Sequence, residues 1–214
     1  MKTVLVTGGT ARLGKAIAEW LRTHGWRVLT TSHRADAGAD IVADFADPMG
    51  AARAYAAALR LLGGQPPDAL VNNAALFSGA SARLTAVNLS APQKLTRLMA
   101  GRETGRGAVV NILDTRILGV AREGLDAYAA TKAALLDDTR KAAALFAETL
   151  RVNAVAPGPV LPPTAVHEKA GETLIGRPTA DDVAACVAYL LTARATTGAV
   201  IPVDGGQHLL GGLR

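Results

Sequence analysis

The chain has 214 residues, half of them hydrophobic but only 4% aromatic, with one cysteine and a formal net charge of +5. That length suffices for a full α/β core, here built from Ala, Val and Leu, and the lone Cys186 excludes an intrachain disulfide and fits a reducing cytoplasm. The basic residues are scattered singly without the aromatic interleaving of a nucleic-acid binder, so the positive field suits an anionic small molecule instead.

In chain order, strand and helix patterns alternate, the signature of a doubly wound parallel sheet with helices on both faces. Residues 4–7 read as a buried strand and 13–24 as a helix that Gly25 stops; 26–31 form the second strand. A short third strand at 41–43 precedes a helix over 49–62. Only nine residues separate Thr31 from Ile41, too few for the usual connecting helix, so an extended crossover is expected there and that helix is absent. The fourth strand covers 69–72, followed by a long helix over 81–99, a fifth strand at 108–113, a helix over 127–149 and a sixth strand at 151–156. Thr179 caps a helix over 181–192, and 199–202 is the last strand. No apolar run is long enough to span a bilayer. The opening segment is too soon broken by glycine for a signal peptide.

Two signals carry chemistry. The first strand runs straight into Gly8-Gly9-Thr10-Ala11-Arg12-Leu13-Gly14 and a helix start, the usual cradle for a dinucleotide pyrophosphate. Glycine lets the backbone approach the phosphates, and the first-turn N–H groups point at the anion. Far along the chain, Tyr128 and Lys132 are spaced to share one helix face. A phenol beside an ammonium is a proton donor suited to reducing a C=O or C=N bond. At roughly 4 Å and an effective dielectric of about 20 the ammonium is worth roughly 4 kcal/mol, enough to pull a phenol well below its usual value near 10. The second strand ends Thr30-Thr31-Ser32-His33-Arg34, with no acid before Asp36 to hold ribose hydroxyls. A guanidinium at Arg34, helped by Ser32 and His33, suits a 2′-phosphate, so the expected cofactor is NADPH or NADP. His24, His167 and His208 show no metal-ligand spacing, and no metal is expected.

Further pieces are Asp44-Phe45, Asn72-Asn73-Ala74, Asn88, Arg151-Val-Asn153-Ala-Val-Ala-Pro157-Gly158 and Val203-Asp204-Gly205-Gly206. In order and spacing, over essentially the whole chain, they resemble the short-chain dehydrogenase/reductase family. The resemblance implies a single Rossmann-type domain over residues 1–214, Tyr128 as general acid, Lys132 binding the nicotinamide ribose and acidifying Tyr128, and Asn88 supporting a water relay. It implies cofactor contacts at Gly8, Thr10, Arg12, Leu13, Gly14, Asn73, Ala74, Pro157, Gly158 and Val160, with Asp44 at the adenine amine and Phe45 offering its backbone N–H. It also implies a homotetramer or homodimer that pairs the helices holding Asn88 and Lys132.

Three departures from the common family pattern resemble the pteridine reductase branch, which includes bacterial dihydromonapterin and dihydrofolate reductases. Asp114 stands where the family usually has Ser, Arg12 where it commonly has its middle glycine, and Phe77 lies four residues after Asn73. By that resemblance Phe77 stacks on a flat substrate, Arg12 reaches cofactor phosphate and substrate, and Asp114 works with Tyr128 in delivering a proton to a ring nitrogen. Two other readings fit the same residues: a carbonyl reductase with a non-pterin substrate, and a non-catalytic NADP(H)-sensing or scaffold protein. The stretch from Asp114 to Tyr128 is one residue longer than usual, which predicts a bulge within 116–125. Residues 159–175 are short for a substrate lid.

Overall fold

Apolar, β-branched runs form seven strands in the computed structural model, which describes residues 1–103, 105–118, 125–160 and 173–210. They are β1 (Thr3–Val6), β2 (Arg27–Ser32), β3 (Ile41–Val42), β4 (Ala69–Asn72), β5 (Gly107–Ile112), β6 (Leu150–Pro157) and β7 (Val200–Val203). All neighbours pair in parallel, in the order β3-β2-β1-β4-β5-β6-β7. The helices are α1 (Arg12–Thr23), α2 (Gly50–Leu61), α3 (Ser81–Thr85), α4 (Ala91–Ala100), α5 (Ala127–Leu145), α6 (Ala180–Thr192) and the short α7 (Gln207–Leu210). This is the doubly wound Rossmann-type α/β sheet expected from the alternating pattern.

Strand alternation divides the core in two. Leu5, Leu70, Val109 and Val152 pack with Ala54 and Ala58 of α2, Leu95 and Met99 of α4, and Ala142 of α5. Val4, Val6, Val71 and Val110 pack with Ile17 and Leu21 of α1 and with Val183, Val187 and Leu190 of α6. Because both faces are covered, the strands read as near-continuous apolar runs. The chain builds outward from β1 through β2 to β3, then returns to place β4 on the other side of β1. Such a reversal opens a crevice at the carboxyl ends of the two central strands.

The link from β2 to β3 holds only a 3-10 turn, Ala35–Ala37, in place of a helix. Asp40 secures it by accepting hydrogen bonds from the Thr30 N–H at 2.7 Å and the Thr30 hydroxyl at 2.8 Å. The expected long helix over 81–99 is interrupted by one π-helical turn, Ala86–Ser90. Pro92 lacks the N–H that the Asn88 carbonyl would accept in an α-helix, and the helix widens there. Helix α5 ends at Leu145 rather than near Thr149, because the N–H groups of Thr149 and Leu150 both turn back to the Phe146 carbonyl. Thr179 caps α6 with Asp182 in a reciprocal capping box. The expected bulge within 116–125 and the short lid at 159–175 fall largely on residues 119–124 and 161–172, outside the described residues, as does His167.

Thr30 is buried, so removing Asp40 strands its N–H. Asp40→Ala is expected to lower stability by about 1–2 kcal/mol, read as a lower urea midpoint with an unchanged slope.

Candidate active site

The crevice begins with a clasp between the ends of β1 and β4. The Thr7 hydroxyl accepts the N–H groups of Asn73 at 2.9 Å and Ala74 at 3.0 Å, and the Asn73 amide donates to the Thr7 carbonyl at 2.9 Å and the Gly8 carbonyl at 3.2 Å. The clasp sets the glycine-rich turn against β4. Gly8 adopts a left-handed φ of 63°. At Gly14 an added Cβ would lie 2.1 Å from the Gly8 carbonyl oxygen, so only glycine lets α1 start this close to the turn. Ala11, at the N-cap of α1, makes no side-chain cap bond, and the first turn holds no acid. Its N–H groups therefore face the crevice as an anion-binding end.

Arg12 is the sole non-glycine residue of positive φ, at 49°, among the described residues. That backbone costs a residue with a Cβ about 1 kcal/mol or more, which explains why glycine is the common occupant of the position. An open cleft of about 1010 Å³ runs from this turn along the strand ends. It brings together most of the residues singled out in the sequence: Gly8, Thr10, Arg12, Leu13 and Gly14 at the turn; Ser32, His33 and Arg34 after β2; Phe45; Asn73, Ala74 and Phe77 after β4; Asp114, Tyr128 and Lys132; and Pro157, Gly158 and Val160 after β6. Arg34 has its fork on Asp36, Nε at 3.0 Å and a terminal nitrogen at 2.7 Å. This exposed pair is one a phosphate can displace.

Two expected residues stand outside the cleft lining. The Asp44 carboxylate turns to the Ala46 N–H at 2.9 Å and is exposed, while its neighbours Ala43 and Phe45 form the wall. The Asn88 amide is consumed by the backbone of Leu76, accepting its N–H at 2.8 Å and donating to its carbonyl at 2.9 Å, and by the Thr131 hydroxyl at 3.1 Å. Its side chain thus ties the loop bearing Phe77 to α5, while Lys132 donates elsewhere, to the Ile112 carbonyl.

At the centre, Tyr128 is buried and its ring stacks on Phe77, centroids 5.0 Å apart. The Lys132 ammonium donates to the Ile112 carbonyl at 2.8 Å and lies 5.7 Å from the centre of the Tyr128 ring. Burial, reinforced by the charge of Asp114 and a hydrogen bond to it, holds the Tyr128 phenol well above its usual pKa. Burial also pushes Lys132 down to about 8, against a smaller upward pull from Asp114. The Asp114 carboxylate thus shares the phenol.

Sequence reasoning missed the residues that surround this pair. Arg116 contacts Asp114 through Nε at 3.3 Å and Asp126 at 3.6 Å, and its guanidinium lies 5.1 Å from the Tyr128 ring centre. The neighbouring Thr115 hydroxyl donates to Asp204 at 2.5 Å. Asp204 also accepts from the backbone N–H groups of Gly206 and His208 and faces the His208 ring at 2.8 Å. Burial works to raise the Asp204 carboxyl, but the bonds from Thr115, His208 and Gly206 outweigh it and hold it below the usual range. Gln207 then reaches the cleft. Asp114, two residues before Arg116, and the Val203-Asp204-Gly205-Gly206 piece marked the two segments but not their contact; Thr115 and Asp204 are 89 positions apart. No cluster of three or more metal-ligating side chains occurs among the described residues.

A parallel sheet with this crevice, a glycine-rich anion-binding turn and a buried Tyr–Lys pair defines a dinucleotide-dependent oxidoreductase. A family model described as enoyl-(acyl carrier protein) reductase matches residues 9–208. The chain belongs to the short-chain dehydrogenase/reductase family. Among its relatives, Protein FixR of Bradyrhizobium diazoefficiens is 31% identical over 242 aligned residues, covering 97% of this chain and 87% of that protein. Dihydromonapterin reductase of Escherichia coli is 28% identical, covering 96% of each chain. The crystal structure of FolM alternative dihydrofolate reductase 1 from Brucella canis, complexed with NADP, superposes with a TM-score of 0.80 at 32% identity, covering 97% of this chain and 94% of that one.

The sign of the Asp114 effect is testable. A carboxylate beside a phenol disfavours phenolate, so Asp114→Asn should lower the pH at which Tyr128 ionises. The check is the alkaline phenolate absorbance of Asp114→Asn minus that of the same variant carrying Tyr128→Phe, compared with the matching pair in the native background. A midpoint that stays or rises contradicts the assignment.

Proposed function

We propose that the chain is a reductase of a C=N or C=O bond whose substrate is a flat, pterin-type heterocycle. The cofactor is NADPH/NADP, as in the NADP complex of the FolM relative. The observation that carries the substrate reading is Asp114 at the catalytic tyrosine together with Phe77 stacked on that tyrosine's ring. A carboxylate suits a substrate that presents ring N–H groups, and an aromatic face suits a planar ring. That dihydromonapterin reductase and FolM are relatives supports it. A carbonyl reductase with another substrate is the second reading, favoured by the description of the matching family model.

The residues present fit the dinucleotide. The uncapped first turn of α1 with Gly8, Thr10, Leu13 and Gly14 would hold the pyrophosphate, and Arg34 with Ser32 and His33 the 2′-phosphate. Phe45 with Asp44 at the rim would take the adenine, and Asn73, Ala74, Pro157, Gly158 and Val160 the nicotinamide half, with Lys132 on the ribose. Bound, the cofactor supplies a hydride to the substrate carbon. Tyr128 then gives its proton to the substrate nitrogen or oxygen, and Asp114 orients the heterocycle and keeps the phenol in place. Once substrate N–H groups occupy Asp114, the phenol loses the partner that holds its proton most firmly and becomes the better acid. Phe77 and Arg12 hold the substrate's faces. Asn88 acts at a distance by fixing the loop that bears Phe77.

We further propose that the chain works as one domain over residues 1–214, in the cytoplasm, as a homotetramer or homodimer paired through the helical stretch holding Asn88 (Ser81–Ala100) and through α5, which holds Lys132. No described helix is long and apolar enough to cross a membrane. Helix α5 exposes Ala127, Ala130, Ala144 and Leu145, small apolar positions that allow another helix to approach closely. Sizing by gel filtration should give two or four chains; a monomer contradicts the pairing.

The activity test follows NADPH absorbance with dihydromonapterin, dihydrobiopterin, dihydrofolate, and a set of quinones and ketones. Turnover should be highest with a dihydropterin, and Tyr128→Phe should reduce it by at least about 100-fold with NADPH binding intact. Preference for a ketone supports the second reading, and no turnover at all supports a non-catalytic, cofactor-sensing protein.

A further inference from the structure

The 3-10 turn after β5, Thr115–Ile117, places Arg116 between the two segments that deliver the proton-handling groups. On one side is Asp114, just beyond β5; on the other is Asp126, the N-cap of α5, whose carboxylate accepts the Ala129 N–H at 2.7 Å. Arg116 reaches both, and its guanidinium lies over the Tyr128 ring. Its hold on Asp114 is double. Oδ1 of Asp114 accepts the Arg116 backbone N–H at 2.9 Å and Nε at 3.3 Å. Two donors on one oxygen fix the plane of the carboxylate and the direction of its remaining lone pairs. Asp114 is also well sheltered, its side chain 17% exposed against 53% for Arg116. A partner of such a group is worth more than a surface ion pair.

The turn itself cannot drift. Thr115 is tied to Asp204 across the sheet end, and Thr115, Ile117 and Asp204 are buried. Arg116 is therefore the exposed arm of an anchored turn.

We propose that Arg116 is a positioning residue for proton transfer: by fixing the plane of the Asp114 carboxylate, it holds that group as the hydrogen-bond partner of the Tyr128 phenol. Its effect on turnover rests on the reductase reading above. Removing the guanidinium leaves Asp114 free to rotate, so the carboxylate no longer holds the phenol in place for proton transfer. Proton delivery then slows, while the cofactor cradle at the far end of the cleft is untouched. Arg116 acts through Asp114 and makes no claim on the substrate.

The test combines kinetics with a spectroscopic readout that needs no turnover. Arg116→Ala should lower kcat about tenfold, with the KM for substrate and the affinity for NADPH each within about twofold of native. Arg116→Lys should recover part of the loss, since an ammonium keeps the charge but not the forked geometry. In an Asp114→Asn background, Arg116→Ala should cost less than about twofold, because the group through which it acts is gone. Independently, the tyrosine Fermi doublet in Raman spectra, isolated by subtracting the matching Tyr128→Phe variant, should show a phenol strongly donating a hydrogen bond in the native protein and a weaker donor in Arg116→Ala. Circular dichroism and NADPH binding confirm that each variant folds, and Arg116→Gln replaces Arg116→Ala if the latter does not. A raised substrate KM with kcat unchanged overturns the proposal in favour of a direct grip on an anionic substrate. An equal loss in the Asp114→Asn background overturns it too. Absence of turnover in the native protein overturns the reductase reading instead, and an unchanged Fermi doublet then overturns the positioning role on its own.

Discussion

The hydroxyl of Thr7 is the point on which the site depends. It stands at the end of β1, beside the strand that the chain reaches only after building outward to β3 and returning. By accepting the N–H groups of Asn73 and Ala74 it fixes how the two central strands diverge. The Asn73 amide returns the contact to the Thr7 and Gly8 carbonyls. With that clasp in place, the glycine-rich turn faces the crevice and α1 begins against it. The loop carrying Phe77 leaves β4 from a fixed origin. Every later feature of the cleft is measured from this junction.

The charged groups at the other end obey a second constraint, the cost of burying charge. Lys132 is 2% exposed and satisfies its ammonium on the Ile112 carbonyl, so burial erodes its proton affinity. Asp114 is hydrogen-bonded to the phenol, and a carboxylate next to a buried phenol keeps the proton on. In the proposed reaction the phenol keeps its proton until something competes for Asp114. A ring nitrogen bearing hydrogen is such a competitor, which is why the aspartate and the proposed substrate class belong together. Arg116 and the anchored turn beneath it supply the stiffness that this competition needs.

The C-terminal strap extends the same logic. Asp204, at the end of β7, gathers Thr115, Gly206 and His208 onto one buried carboxylate. The last strand of the sheet thereby braces the turn that follows the fifth, and it brings Gln207 to the cleft. The bond from Thr115 spans 89 positions of the sequence.

Much of this was legible in the sequence. Continuous apolar runs alternating with helix patterns, glycine stops and the Thr179 cap determined the strands, most of the helix limits and the parallel sheet, because these follow from local sterics and hydrogen bonding. The short gap between Thr31 and Ile41 foretold the missing helix by simple reach. The glycine-rich turn and the Tyr128–Lys132 spacing located the two ends of the cleft. The tertiary structure alone decided who partners whom. That Asn88 spends its amide on Leu76, that Asp44 turns outward to Ala46, that Arg34 meets Asp36, and that Asp114 meets Arg116 are all choices among competing donors and acceptors. A sequence names the groups in that competition, whereas the winner is set by distance and burial, and those exist only once the sheet has closed.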